Sequence, residues 1–454
     1  MDKSNVSFGQ KVIYGLPEGI AQLLMVAVGV YSMSFYTDHM FMNAAVIGAI
    51  FLAARVVSIL TDPMVGTFLD TRKPLKNGRF TPYMIGGCLV MGLSSVLLFL
   101  NLDISMGGKI FYVVLTYFLY NIAYSFFQVP YGSVLTTLTS DYSEANRIGS
   151  IRSFIGAIGI ALGSYCVEGL HKVFGGFTGT VNNFTLTTLV MGLALIVSGF
   201  MVKRFVPERV APAPKKQTQE KVKIQDILKI AVANKPLIIV VLVNFLTNLA
   251  WTLRNASALY FFRESVGRPG LLPLYLAIAG LSQLPVIAVL PRLTAKFGNR
   301  RVIVTATLIS WAGFAALGLG KQNNIVFLLV SATISGIGWS VFYGLMFGMV
   351  ANTIEYGEWK NGVRAAGIST SLPLLAFKLA MGLSGFLLGI LLQMGGYIPG
   401  VTQSVQAIQA INAAFIYIPA GLAVLWLITI MFYDLDEKYP EIIEDLEIRR
   451  QGRS

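Results

Sequence analysis

Apolar positions in this chain come in long runs and do not alternate. Stretches rich in Leu, Ile, Val, Phe, Ala, Gly and Met recur from one end to the other, separated by short polar segments. At a rise of 1.5 Å per residue, about twenty residues cross the hydrocarbon core of a bilayer as a helix. Twelve such spans are predicted, near residues 12–37, 43–68, 82–102, 110–136, 148–174, 184–205, 236–262, 270–290, 302–320, 324–351, 366–393 and 407–432. Hydropathy separates the last four least well, because the segments between them are short.

Polar residues inside these runs are costly, so they mark function or pairing. A charge near the bilayer centre costs roughly 3 kcal/mol even on a mild insertion scale. Span two holds Arg55, Ser58 and Asp62, spaced so that a helix places them on one face. Span one has Tyr14, Glu18 and Gln22. Span four carries a stripe of Tyr117, Asn121, Tyr124, Gln128 and Tyr131, with Ser125 beside it. Span five opens with Arg147 and Arg152. Span seven holds Asn244, Asn248, Trp251, Arg254 and Asn255, span ten holds Trp339 and Tyr343, and span eleven holds Thr370, Ser371 and Lys378. Each has a plainer reading. Tyr and Trp also form interfacial belts, Asn and Ser also bond helix to helix, and Arg254 is placed to snorkel. Arg55, Asp62 and Lys378 lie too deep for that and are expected to face a cavity or pair across helices.

Composition agrees with the pattern. The 454 residues are 55% hydrophobic and 13% charged, against about 25% charged in ordinary soluble proteins. The fold class expected is an all-α polytopic membrane protein. The start, Met1-Asp2-Lys3-Ser4-Asn5, lacks a cleavable signal pattern, so the first span is expected to insert directly. The net charge of +13 does not imply a nucleic-acid partner. With the N-terminus inside, 27 of the 35 Lys and Arg fall on the cytoplasmic side and five outside, as the positive-inside rule requires. Both termini are therefore expected in the cytoplasm, and the membrane expected is the cell membrane. Cys88, Cys166, His39 and His171 show neither a disulfide framework nor metal-ligand spacing. No nucleophile–base motif or phosphate-binding glycine loop supports an enzyme.

A polar linker, Pro212-Ala213-Pro214-Lys215-Lys216, divides the chain. The expected organisation is a six-helix bundle over 1–205, a cytoplasmic loop over 206–235 with a short amphipathic helix at Lys223–Val232, a second bundle over 236–432 and a cytoplasmic tail over 433–454. Each half has a basic loop after its second span, Asp70 to Arg79 and Pro291 to Arg301. That parallel repeat suggests two bundles of a transporter. Amides and charged groups suit sugar hydroxyls, and aromatic faces suit the C–H side of a sugar ring.

Several motifs resemble one known family. They are Tyr14-Gly15; Phe35-Tyr36-Thr37-Asp38; Arg55 through Asp62-Pro63 to Gly66; Gly78-Arg79-Phe80-Thr81-Pro82; Pro130-Tyr131-Gly132-Ser133; Glu355-Tyr356-Gly357-Glu358-Trp359-Lys360; and Gly362-Val363-Arg364. Together they resemble the glycoside–pentoside–hexuronide cation symporters of the major facilitator superfamily, nearly end to end. The resemblance implies two six-helix bundles and import of a sugar with a cation, H⁺ or Na⁺, without another cofactor.

Carried over by position, the cation site would comprise Asp62, Ser125 and Ser58, with Glu18 as an added ligand. Ser58 stands where melibiose-type members have a second aspartate. The sugar site would comprise Gln22, Gln128, Arg152, Tyr343 and Lys378, with Tyr124 and Trp339. Gln22 and Gln128 replace two aspartates of the melibiose pattern, which favours an acidic substrate such as a hexuronide. A neutral pentoside or disaccharide is the alternative. Arg55, Asp70, Arg79, Glu355, Glu358 and Arg364 are the expected gate, unless they are ordinary loop charge. An exchanger or exporter not coupled through Asp62 is the rival transport reading. The partners expected are a small sugar and membrane lipid, and the state expected is a monomer.

Overall fold

A computed structural model of the chain describes residues 6–71, 78–139, 141–209, 233–319, 324–362 and 366–451. Among these, eleven helices are long and apolar enough to cross a membrane, and Thr81–Leu97, 17 residues long, fills the place of the predicted third span. In chain order the spans are Phe8–Asp38, Ala44–Leu69, Thr81–Leu97, Met106–Leu138, Arg147–Val173, Asn183–Phe205, Lys235–Ser265, Pro269–Phe297, Asn299–Gly318, Ile325–Asn361, Gly367–Met394 and 405–431. The expected all-α class is the observed one. The predicted helix at Lys223–Val232 lies outside the described residues.

Spans eight and ten run well past their predicted ends, span eight to Phe297. Span ten turns at Ser335-Gly336 and continues to Asn361, ending at Gly362 with φ +69°. The left-handed value suits glycine, which carries no Cβ. Span twelve ends at Met431, close to its predicted end, and a separate tail helix follows, Leu435–Gln451. There Trp359 Nε1 donates to Asp445 Oδ2 at 2.9 Å, and Arg449 Nη1 donates to the Trp359 carbonyl at 3.0 Å. These bonds hold the tail helix to the end of span ten.

The parallel repeat has a structural counterpart. Glu208, three residues past span six, accepts backbone N–H bonds from Arg79, Phe80 and Thr81 at 2.8–2.9 Å, at the start of span three. Asp436, just past the apolar part of span twelve, accepts from Arg300 N at 2.7 Å and Asn299 Nδ2 at 2.9 Å, at the start of span nine. Helix N-termini leave backbone donors unpaired and carry a partial positive charge, so an acidic side chain suits both places. Each carboxylate sits beside a glycine with positive φ, Gly78 at +111° and Gly298 at +77°, where a Cβ would come within 2.7 Å and 3.2 Å of it.

The chain forms two compact units. The first comprises Met1–Pro214, Asn255–Leu281 and Gly385–Ile411; the second comprises Lys215–Arg254, Ser282–Ser384 and Asn412–Ser454. The first unit thus holds spans one to six together with pieces of spans seven, eight, eleven and twelve. Glycines set its closest helix contacts. A Cβ on Gly159 of span five would lie 2.2 Å from the Gly19 carbonyl oxygen of span one. Small residues let helix backbones approach in this way.

Candidate functional site: two polar groups and an aromatic stack

The Gly19–Gly159 contact positions the first group. It brings Arg152, two turns before Gly159, against Glu18. Arg152 donates to Glu18 Oε2 from Nε at 2.9 Å and from Nη2 at 2.7 Å. Gln22, one turn along span one, donates from Nε2 to Glu18 Oε1 at 2.9 Å. The guanidinium carbon lies 4.3 Å from the centre of the Tyr131 ring, a cation–π distance. Tyr131 is fixed in turn. Its hydroxyl donates to the Tyr14 carbonyl at 2.5 Å, and the Tyr14 hydroxyl donates to the Tyr131 carbonyl at 2.7 Å. Glu18, Gln22, Arg152 and Tyr131 therefore form one locked group built from spans one, four and five.

The second group joins spans two and four. Ser125 Oγ donates to Asp62 Oδ1 at 2.5 Å. Ser58, one turn before Asp62, turns its hydroxyl to the Arg55 carbonyl at 2.9 Å. Asn121, one turn before Ser125, donates from Nδ2 to the Tyr117 carbonyl at 2.8 Å. Its Oδ1 is buried and accepts no hydrogen bond. A buried amide oxygen normally has a partner, so Asn121 Oδ1 is available for a cation or a proton-bearing group. Tyr124, Gln128 and Arg55 are half-buried on the same two spans.

The second unit carries the aromatic residues. Trp251 and Trp339 stack with ring centres 4.1 Å apart and planes 7° apart, and Tyr343 extends the stack at 5.0 Å and 16°. Trp339 Nε1 donates to Asn248 Oδ1 at 3.2 Å. Asn248 is itself tied to Asn244, whose Nδ2 donates to the Pro373 carbonyl at 2.7 Å. Tyr343 is 43% exposed. Lys378 is half-buried. Arg254 is 2% exposed, and its Nη2 donates to the Ala332 carbonyl at 2.8 Å between the rings of Phe314 and Phe415. A buried arginine held this way is not snorkelling.

The expected gate residues are distributed differently. The Arg79 N–H is bound by Glu208, and the Tyr439 hydroxyl of the tail helix donates to Glu355. Glu358 is half-buried and its carbonyl accepts from Gly362 N. Asp70 lies on the helix that continues span two, but its side chain, like Arg364, is outside the described residues.

A polar cluster that the sequence reading did not assemble lies where span one ends. Arg263 Nη1 donates to Asp38 Oδ2 at 2.7 Å, Ser34 Oγ donates to the same oxygen at 2.7 Å, and Tyr397 Oη donates to Asp38 Oδ1 at 3.1 Å. Asp38 was visible as the end of the Phe35-Tyr36-Thr37-Asp38 motif. Arg263 is one of the five basic residues counted outside, because the predicted span seven ends at 262; a π-helical turn, Phe261–Ser265, carries the helix past that point.

The comparisons fit this architecture. Residues 13–437 match the family described as MFS/sugar transport protein. The isoprimeverose transporter of Lactiplantibacillus pentosus is 30% identical over 447 residues, covering 98% of this chain and 92% of that one. The uncharacterized symporter YjmB of Bacillus subtilis is 32% identical, with 98% and 96% covered, and the glucuronide carrier protein homolog of Escherichia coli is 26% identical, with 98% and 97% covered. Among solved structures, the nucleoside transporter NupG superposes with a TM-score of 0.67 at 13% identity over 93% of this chain and 98% of that one. A bacterial homolog of the human lysosomal transporter Spinster, in an inward-facing and unoccupied conformation, gives a TM-score of 0.67 at 13% identity, with 96% and 99% covered. At such identities these two show the fold. The chain is a multi-pass membrane transporter and belongs to the major facilitator family of sugar transport proteins, as its glycoside–pentoside–hexuronide motifs imply.

Proposed function

We propose that the chain imports a glycoside together with a cation by alternating access, with Asp62 as the coupling residue. The observation that carries this reading is the Ser125–Asp62 bond of 2.5 Å, which joins the hydroxyl and the carboxylate that the family motif pairs. A charge this deep in a span is expensive unless it works or is paired. Ser58 leaves one carboxylate fewer than the melibiose-type pattern, and that supports a proton over Na⁺. Coupling then requires that cation and sugar each strengthen the other's binding. The excess of basic residues supports cytoplasmic termini.

Glu18 bears on the substrate class. The loss of two aspartates, read from sequence, favours an acidic sugar because Arg152 would lack a counter-charge. Glu18 supplies that counter-charge from one turn away, so Arg152 is already neutralised. We therefore favour a neutral glycoside, its hydroxyls bonded by Glu18, Gln22, Gln128 and Arg152. The relatives' names mention isoprimeverose and glucuronide, and support either class. Uptake of labelled neutral glycosides and uronides into proteoliposomes, with H⁺ and Na⁺ gradients imposed separately, tests the reading. Accumulation of a neutral glycoside driven by H⁺ is expected. Uptake of uronides only would overturn the neutral substrate, and equilibration indifferent to both gradients would overturn symport.

A further inference from the structure

The cluster around Asp38 lies apart from the residues proposed for the cation and the sugar, and its carboxylate is densely bonded. Four donors converge on one carboxylate. Oδ1 accepts from Thr37 Oγ1 at 2.7 Å and Tyr397 Oη at 3.1 Å, and Oδ2 accepts from Ser34 Oγ at 2.7 Å and Arg263 Nη1 at 2.7 Å. Arg263 is equally committed. Its Nη2 donates to the Tyr397 hydroxyl and its Nε to Glu264 Oε1 at 2.7 Å. Tyr260, one turn before Arg263, meets the Thr37 hydroxyl at 3.1 Å and the Tyr397 ring edge-on at 5.2 Å. The partners come from three places far apart in sequence: the end of span one, the end of span seven and the loop after span eleven. Spans seven and eleven belong to the second half of the chain, span one to the first.

A second contact between the halves lies in the same unit. A Cβ on Gly389 would fall 2.3 Å from the Ala44 carbonyl oxygen, and one on Gly48 would fall 2.8 Å from the Gly385 carbonyl oxygen. Spans two and eleven therefore touch backbone to backbone near the ends that the Asp38 cluster joins. Apolar contact of this kind between small residues is reversible, and a charge network placed over it makes the closed arrangement specific. Beside it opens a cavity of about 640 Å³ lined by Asp38, Phe41, Arg263, Glu264 and Pro399 to Thr402. Water entering there competes for the same donors once the network parts. The π-helical turn that presents Arg263 also fits, since such turns collect at functional positions in helices.

We propose that Asp38, Arg263 and Tyr397 form the lock of the transporter's outer gate, closed in this structure and opened in each transport cycle. This rests on the alternating-access reading above: two halves that part on one side must break every bond joining them there. With both termini cytoplasmic, the end of span one faces outward. The lock residues position the halves and do not touch the sugar.

The experiment reads gate distance and is independent of which sugar is carried. In a full-length chain with Cys88 and Cys166 replaced by serine, cysteines at Phe41 and Val401, both lining the cavity, take spin labels. A predominantly short distance is expected with the intact lock. Asp38→Asn and Arg263→Gln each shift the distribution to longer distances, and the exchanged pair Asp38→Arg with Arg263→Asp restores the short one. Tyr397→Phe, which removes one hydroxyl and preserves the ring, gives a smaller shift and serves if the charge variants fold poorly. Identical distributions in all variants would overturn the lock, whatever the uptake assays show. A gate that opens normally while sugar uptake fails would count against the substrate reading and leave the lock standing.

Discussion

Two arginine–carboxylate pairs in the first unit have nearly the same geometry and different positions in the chain. Arg152 meets Glu18 at 2.7 Å, and Arg263 meets Asp38 at 2.7 Å. The first joins spans one and five of the same half, across a glycine seam that leaves no room for sliding. The second joins the two halves, with the arginine side chain 31% exposed against 18% for Arg152. A pair that stays together through the cycle is suited to shaping a binding surface. A pair that must part is suited to a gate, and its partial exposure lowers the cost of parting, because water can replace the lost partner.

Breaking the first pair gives the largest effect expected. Arg152→Ala leaves the buried Glu18 charge without its main partner, which costs about 3–5 kcal/mol in comparable buried pairs. Uptake should fall to background and thermal stability in detergent should drop; normal uptake would show that the pair is not part of the sugar site. Glu18→Gln is gentler and more informative. It keeps the shape and frees the arginine, so the affinity for a neutral glycoside should fall about tenfold, the scale of one charge-assisted hydrogen bond. Competition by uronides should rise at the same time. Unchanged uronide competition would break the link between Glu18 and substrate charge.

The smallest effect concerns a third pair between the same two helices as the first. Lys11 Nζ lies 2.7 Å from Glu144 Oε1, which also accepts from the Val6 N–H at 3.1 Å. The hydrogen bond from Lys11 holds the Glu144 carboxyl below its usual range. A depressed carboxylate adds stability that is fully present above its unfolded value, about 4.3, and is lost as pH falls through the lower folded value. Amide exchange near Val6 should therefore speed up only below that range, and in Lys11→Met it should be fast at every pH tested. Exchange at Val6 that ignores both pH and Lys11 would remove the pair from the description.

The sequence made the fold legible because hydropathy and span length carry most of the information about a polytopic membrane protein. Span ten exceeded its predicted end where the helix emerges as an amphipathic turn, held by the tail helix and no longer by hydropathy. The site was legible in part. Asp62 and Ser125 could be placed together from the motif they share with the family. Glu18 was recognised as an acidic residue out of place, but its partner was not, since Arg152 reaches it only through the Gly19–Gly159 contact and nothing local encodes that. Trp251 was noticed on its stripe with Asn244 and Asn248, yet its stacking on Trp339 depends on how spans seven and ten pack. The Asp38 lock draws on residues more than 350 positions apart, and each one alone looks like a span end or a loop.

The most direct measurement of the central claim is concentrative uptake by Asp62→Asn in proteoliposomes, beside sugar exchange at equal concentrations on both sides. Coupling through Asp62 predicts that the variant exchanges sugar but no longer accumulates it, and that its uptake ignores an imposed pH or Na⁺ gradient. Full accumulation by Asp62→Asn, with the pH and Na⁺ response of the unaltered chain, would contradict it.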